Sequence, residues 1–260
     1  MKNFLLALFI SSVFFACNNS SEVKSSSMAK NTDMISFNLK GKVQQLQETS
    51  STIDSTGKSK MDSVVYADNF DDKGYITSYT ERDSAGTIHK EETFDHDSAG
   101  YVTEVKTMSN GKLTDKFVLD VKDGKYVGGK TYDSTGKQVS YYTDLVTNDY
   151  GMTTAGKEHF MNGRVKTSWD DKFDGPVFVS GTTIDSTGKI SYQGSVKVND
   201  KGDPAEETST TRDKDSTKTQ KMTYKYDNFD DKGNWTQQTT YNEKGKPTKV
   251  TRRTLTYYKD

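Results

Sequence analysis

Hydrophobic and polar positions alternate with a period of two through most of the chain. Phe117, Leu119 and Val121 share one parity, as do Tyr192, Val196 and Val198, and Met222, Tyr224 and Tyr226. That period belongs to strands with one face buried; a helix needs apolar residues three and four positions apart over about ten residues or more. Turn signals interrupt every window long enough for such a helix. Asp54-Ser55-Thr56-Gly57 recurs at Asp83–Gly86, Asp97–Gly100, Asp133–Gly136 and Asp185–Gly188, with variants at Asp71–Gly74, Asn199–Gly202, Asp230–Gly233 and Asn242–Gly245. The first side chain accepts a hydrogen bond from the backbone two residues on, and the glycine supplies a positive φ.

Turn glycines fall 11 to 14 residues apart, as at 74, 86, 100, 111, 124 and 136, which leaves about eight residues per strand. The chain is therefore expected to be all-β, an antiparallel up-and-down meander of repeated β-hairpins with roughly 14 to 16 strands. Open twisted sheets seldom exceed about ten strands, so the meander is expected to form one long curled sheet or to fold into two layers. Ordered structure is expected from Met34, where Ile35-Ser36-Phe37-Asn38-Leu39 alternates like a strand.

One segment breaks the pattern. Phe4 to Ala16 is apolar, follows Met1-Lys2-Asn3 and ends at Cys17, the only cysteine of 260 residues. The run is shorter than the ~20 apolar residues a spanning helix needs. It resembles a lipoprotein signal peptide, with a basic start, an apolar stretch, a small Ala16 and then the cysteine. Phe14 takes the place of the usual leucine, and Phe15 is large for its position. The resemblance implies three parts: a signal peptide over 1–16, a flexible Ser/Asn-rich tether over 17–33 and a repeat domain over 34–260. It also implies a membrane partner through lipid on Cys17, and a place in the cell envelope. Asn18 after the cysteine points to the outer membrane, facing the periplasm or the cell surface.

Composition narrows the function classes. Lys and Arg number 36 against 37 Asp and Glu, mixed along the chain, so nucleic acid is not an expected partner. Hydrophobic residues are only 31%, so the core must be thin. A membrane-spanning barrel is disfavoured because Lys218 to Lys225 and Thr248 to Thr254 put Lys, Arg or Gln on both parities, whereas such a barrel needs an apolar outer band.

The segment Tyr224-Lys225-Tyr226-Asp227-Asn228-Phe229-Asp230-Asp231-Lys232-Gly233-Asn234-Trp235-Thr236 resembles the YD or RHS repeat, and Tyr66 to Thr77 is a looser copy. Tyr126-Val127-Gly128-Gly129 and Tyr192-Gln193-Gly194 are similar, more weakly, to MORN-type hairpin repeats. The resemblance covers Val64 to Tyr258 at the level of the repeat and implies a hairpin array at a cell surface or in an envelope, without implying catalysis.

Candidate chemistry is sparse. Ser55-Lys58, Ser134-Lys137 and Ser186-Lys189 match Ser-x-x-Lys, but as turn residues without partner motifs, so no catalytic residue is assigned. His89, His96 and His159 lack metal-ligand spacing and read as exposed strand residues. Asp95-His96-Asp97-Ser98-Ala99-Gly100 begins like a calcium loop, but Ala99 brings no oxygen and Lys106 stands at the twelfth position. No metal or cofactor is expected. Tyr224, Tyr226, Trp235 and Tyr241 form a candidate ligand platform, set against the alternative that they are core. The expected function is a non-enzymatic scaffold or binding module for a protein or glycan partner. The alternatives are an enzyme acting on envelope glycan or lipid, and an immunity-like protein that binds its partner by edge pairing. A pocket with converging carboxylates and a raised carboxyl pKa would speak for the enzyme.

Overall fold

The computed structural model describes residues 32–213 and 216–259. After a short helix α1 (Asp33–Ser36) and an irregular segment to Lys42, the described residues are mostly strand and turn. The first eight strands are β1 (Val43–Ile53), β2 (Ser59–Phe70), β3 (Ile76–Asp83), β4 (Ile88–His96), β5 (Val102–Ser109), β6 (Lys112–Lys122), β7 (Lys125–Asp133) and β8 (Gln138–Thr147). The second eight are β9 (Thr153–Phe160), β10 (Val165–Asp174), β11 (Val177–Asp185), β12 (Ile190–Val198), β13 (Pro204–Asp213), β14 (Ser216–Phe229), β15 (Trp235–Asn242) and β16 (Pro247–Tyr257).

Each strand pairs antiparallel with its neighbours in sequence, and β1 pairs with β16, so the meander closes into a barrel. This corrects the expected curled or two-layered sheet. Closure runs through a long seam, with Leu46 opposite Leu255, Glu48 opposite Arg253 and Ser50 opposite Thr251. It removes the two free edges that an open sheet would expose.

The Asx-turn chemistry is present throughout. Asp54 Oδ1 accepts from the amides of Thr56 and Lys58 at 2.8 and 3.0 Å, and Gly57 has φ +83°. The same geometry recurs at Asp83, Asp97, Asp133 and Asp185.

Register divides the strand residues between two faces. Asp68 lies opposite Tyr79, Tyr79 opposite Glu92 and Glu92 opposite Thr107. This parity, carried around the ring, is the concave face. Glycines on it leave room for rings: a Cβ on Gly156 would lie 2.5 Å from Trp169, and one on Gly129 3.1 Å from Phe117. The opposite parity carries ion pairs. Lys106 sits 2.8 Å from Glu104 and Lys116 3.3 Å from it, while Lys221 and Lys197 hold Glu206 at 2.8 and 3.0 Å. Lys157 reaches Asp144 at 2.7 Å. An outer surface laced with such pairs is the reverse of the apolar band a spanning barrel shows to lipid.

The two rims differ. At one rim, residues 32–42 form a strap across the mouth. Met34 N donates to Gly74 O, Asp33 accepts from Ile76 N at 2.7 Å, and Asn38 donates to Asp203 at 2.7 Å. The strap is a turn of helix followed by an irregular segment, not the strand its alternation suggests. Met34 and Leu39 are buried with Val43, Leu46, Phe70 and Ile76, and Phe37 packs against them. Packing at the mouth, where no strand is left to pair with, decides its shape. At this rim the tyrosine of one turn also covers the glycine of the next. A Cβ on Gly100 would meet the Tyr75 ring, on Gly124 the Tyr101 hydroxyl and on Gly175 the Tyr150 ring. At the other rim, Gly57, Gly86, Gly111, Gly136, Gly188 and Gly245 have nothing within 4 Å of such a Cβ.

Candidate functional site

Beneath the strap, on the concave face, lies a cavity of about 270 Å³ built by β1, β2 and β13 to β16. Phe37 and Leu46 supply apolar wall. Glu48, Asp68, Asp203 and Glu207 bring carboxylates, Lys249 and Arg253 bring cations, and Gln238 and Thr251 add neutral polar groups.

Most of these groups are already engaged. Arg253 donates from Nε to Glu48 Oε1 at 2.8 Å, with its guanidinium carbon 3.5 Å from the centroid of Trp235. Tyr224 donates its hydroxyl to Glu207 at 2.6 Å. Gln238 donates to the Tyr226 oxygen, and Tyr226 donates to Pro204 O at 2.8 Å. Asp203 accepts from Asn38.

Among the four carboxylates Asp68 is the exception. It is 9% exposed and lines the cavity, yet no hydrogen bond from the described residues reaches its carboxylate. Burial pushes its carboxyl up to about 7; the Glu48 and Glu92 charges add to the rise and Arg253 opposes it. Asp171, elsewhere on the concave face and stacked over Gly181, is also pushed up to about 7, by burial and then by Asp170. Burial raises Glu92 too, against Lys90 at 2.9 Å.

The barrel has a counterpart among solved structures. A porin-like protein from Bacteroides uniformis superposes with a TM-score of 0.54 at 11% identity, over 84% of this chain and 99% of that one. The two share a fold. A porin-like protein from Bacteroides vulgatus (TM-score 0.36, 10% identity, 83% of this chain and 98% of that one) is too distant to add to that. So is the Tc holotoxin pore of Photorhabdus luminescens (TM-score 0.25, 13% identity, 81% of this chain and 11% of that one). No protein-family model matches the sequence, and no curated protein does.

The candidate platform is split by the barrel wall. Tyr224, Tyr226 and Trp235 line the cavity, whereas Tyr241, opposite Thr223 and Pro247, has the outward parity. The three inner residues are also partly packed: Tyr226 and Trp235 lie 5.3 Å apart, and Arg253 covers the indole. The site's charged members escape the sequence reading, although a signal exists. Glu48 and Asp68 fall on the apolar parity of Leu46 and of Tyr66 and Phe70, where a carboxylate is out of place.

Other candidates find simpler roles. The Ser-Lys pairs sit in the exposed turns. His89 and His159 are partly exposed, but His96 is an exception to the expected exposure: its side chain is 12% exposed and lies 3.4 Å from Asp33. Among the described residues no cluster of three His, Cys, Asp or Glu is placed to hold a metal ion. A depression of about 290 Å³ between β8 and β11 runs along the outer face, floored by Ala155, Ser168 and Thr182. Cys17, the signal segment and all but the last two residues of the expected tether lie outside the described residues. Those last two already belong to the body, Thr32 being buried and Asp33 opening α1.

Proposed function

We propose that the protein is a membrane-anchored, non-enzymatic binding barrel of the cell envelope, held by lipid on Cys17, which receives part of a protein or glycan partner in its lumen. One observation supports this above the rest: the barrel carries charged pairs outside and, inside, a walled cavity lined by a carboxylate, Asp68, that accepts no hydrogen bond from a described residue. A barrel with charges on its outer face belongs in water, and a tether to Cys17 would hold it beside a bilayer. Binding sites are concave and combine apolar wall with a few placed polar groups, as Phe37, Leu46 and Trp235 do with Asp68, Glu207 and Gln238.

Two experiments test the reading. Cys17→Ser in the full chain is expected to move the protein from the membrane pellet to the soluble fraction, and equal sedimentation of the two would remove the anchor. Trp169→Phe leaves Trp235 as the single tryptophan, at the cavity wall. Envelope glycan fragments or peptides are expected to change its fluorescence, and an unchanged spectrum across both classes would count against a lumenal site.

Asp68 also favours a second reading. A carboxyl pushed up to about 7, with the Arg253-paired Glu48 carboxylate on the adjacent strand, is the kind of carboxyl pair that glycan hydrolysis uses. Turnover of an envelope glycan that Asp68→Asn abolishes would replace the binding module with an enzyme.

A further inference from the structure

We infer that the cavity beneath the strap is a site for a small polyhydroxylated ligand carrying one protonated amine, an amino sugar in chemical class, with the Asp68 carboxylate as the anchor of its ammonium group. This rests on the reading of the lumen as a binding site and names what it binds.

The balance of donors and acceptors points to such a ligand. Four carboxylates, Glu48, Asp68, Asp203 and Glu207, face the cavity against two cations, Lys249 and Arg253, and Arg253 is committed to Glu48 at 2.8 Å. The excess is of acceptors and of negative charge, so the complementary ligand is rich in donors and positive. An acidic surround alone would say little, since solvated carboxylates are common. Asp68 differs from its neighbours because it is 9% exposed, faces the cavity and accepts no hydrogen bond from any described residue. A buried charged group without a partner is costly, and a ligand ammonium would supply both the missing donor and the opposite charge.

Size and wall chemistry set the rest of the class. At ~30 Å³ per water, about 270 Å³ holds roughly nine waters, the scale of one hexose ring. Gln238, Thr251 and the Glu207 carboxylate are groups that bond hydroxyls, and Leu46 and Phe37 offer apolar wall to the faces of a ring. Lys249 lines the cavity and is exposed, so the space communicates with solvent.

Ionisation follows from the same arrangement. The groups facing Asp68 are Glu48 on β1, Tyr79 on β3, Glu92 on β4 and Arg253 on β16. The carboxyl, pushed up to about 7 by burial, must ionise to hold an ammonium. Binding near neutrality therefore releases protons.

Calorimetry with the full barrel, using glucosamine, N-acetylglucosamine and glucose as probes, tests this. Glucosamine is expected to bind at least tenfold more tightly than the two neutral sugars. Asp68→Asn is expected to remove that difference while leaving glucose binding within about twofold, and proton release, read from buffers of different ionisation enthalpy, should vanish in the variant. Asp68→Asn keeps the side chain's size and removes an unpaired buried charge, so the barrel is expected to fold; circular dichroism checks this. Glucose bound as tightly as glucosamine would overturn the anchor and leave the lumenal site standing. Binding of none of the three to the folded wild type would overturn the inference and weigh against the site itself.

Discussion

Asn234 clasps the backbone of Lys40 from both sides. Its Oδ1 accepts from Lys40 N at 2.8 Å and its Nδ2 donates to Lys40 O at 2.9 Å, so one side chain imitates a strand pairing across the mouth of the barrel. The same Nδ2 reaches the Tyr257 hydroxyl, and Tyr257 donates to Asp230. Asn234 therefore joins the strap to the β14–β15 turn and to the closing strand β16, at 3% exposure.

Truncating it should loosen the cap without opening the barrel. Asn234→Ala leaves both Lys40 groups and the Tyr257 hydroxyl short of a partner, and a loss of about 1–3 kcal/mol is expected, read from the midpoint of urea unfolding. Asn234→Asp should lose nearly as much, because a carboxylate cannot donate to Lys40 O and would face Asp230. A variant as stable as wild type would mean that the strap is held by Met34 and Leu39 packing alone.

Much of this fold can be read from residue order, for identifiable reasons. Asp-Ser-Thr-Gly turns are local: the carboxylate, the two amides it accepts from and the glycine lie within five residues, so each hairpin declares itself. Closure is not local. It depends on Leu46 meeting Leu255 and Glu48 meeting Arg253 across some two hundred positions, and neither strand carries a mark of its partner. The site shares that difficulty. Tyr224, Tyr226 and Trp235 are conspicuous as aromatics, but Asp68 and Glu207 meet in one cavity only because β2 and β13 approach through the closed seam. Tyr241 was a natural companion in the sequence and lies outside the wall, since along β15 it alternates with Gln238 and Thr240, the residues opposite Tyr226 and Tyr224.

A pair of glycine substitutions separates backbone strain from packing. Gly100 and Gly86 have φ of +89° and +88°, so alanine should cost each about the same for the left-handed backbone. They differ in surroundings: a Cβ at Gly100 would collide with the Tyr75 ring, whereas nothing lies within 4 Å of one at Gly86. Gly100→Ala is expected to be less stable than Gly86→Ala by about 1–3 kcal/mol, measured by urea unfolding. Restoring Gly100→Ala by Tyr75→Ala should recover part of the difference. Equal losses in the two single variants would mean that Tyr75 swings away from the rim at little cost.

Stability should peak on the acid side of neutrality, because the concave-face and turn carboxylates pull in opposite directions. Asp68 and Asp171 are each raised to about 7, against about 3.9 in an unfolded chain. A raised carboxyl favours the protonated form in the fold, so the native state loses stability as pH climbs from about 4 to about 7 and the loss is then constant. Hydrogen bonds at the turns hold Asp54, Asp133 and Asp185 below the ordinary range, so their contribution is present above about 4 and falls away as pH drops through their folded values. Thermal unfolding from pH 3 to 8 is therefore expected to show a maximum near pH 4–5 and a decline towards 7. Asp68→Asn should flatten that decline, gaining most over wild type at pH 7 and above and nothing at pH 4, and adding Asp171→Asn should flatten it further. A wild-type curve that rises steadily to pH 7, or an Asp68→Asn variant that gains equally at pH 4 and pH 7, would show that the Asp68 carboxylate is solvated in the lumen and carries no buried charge.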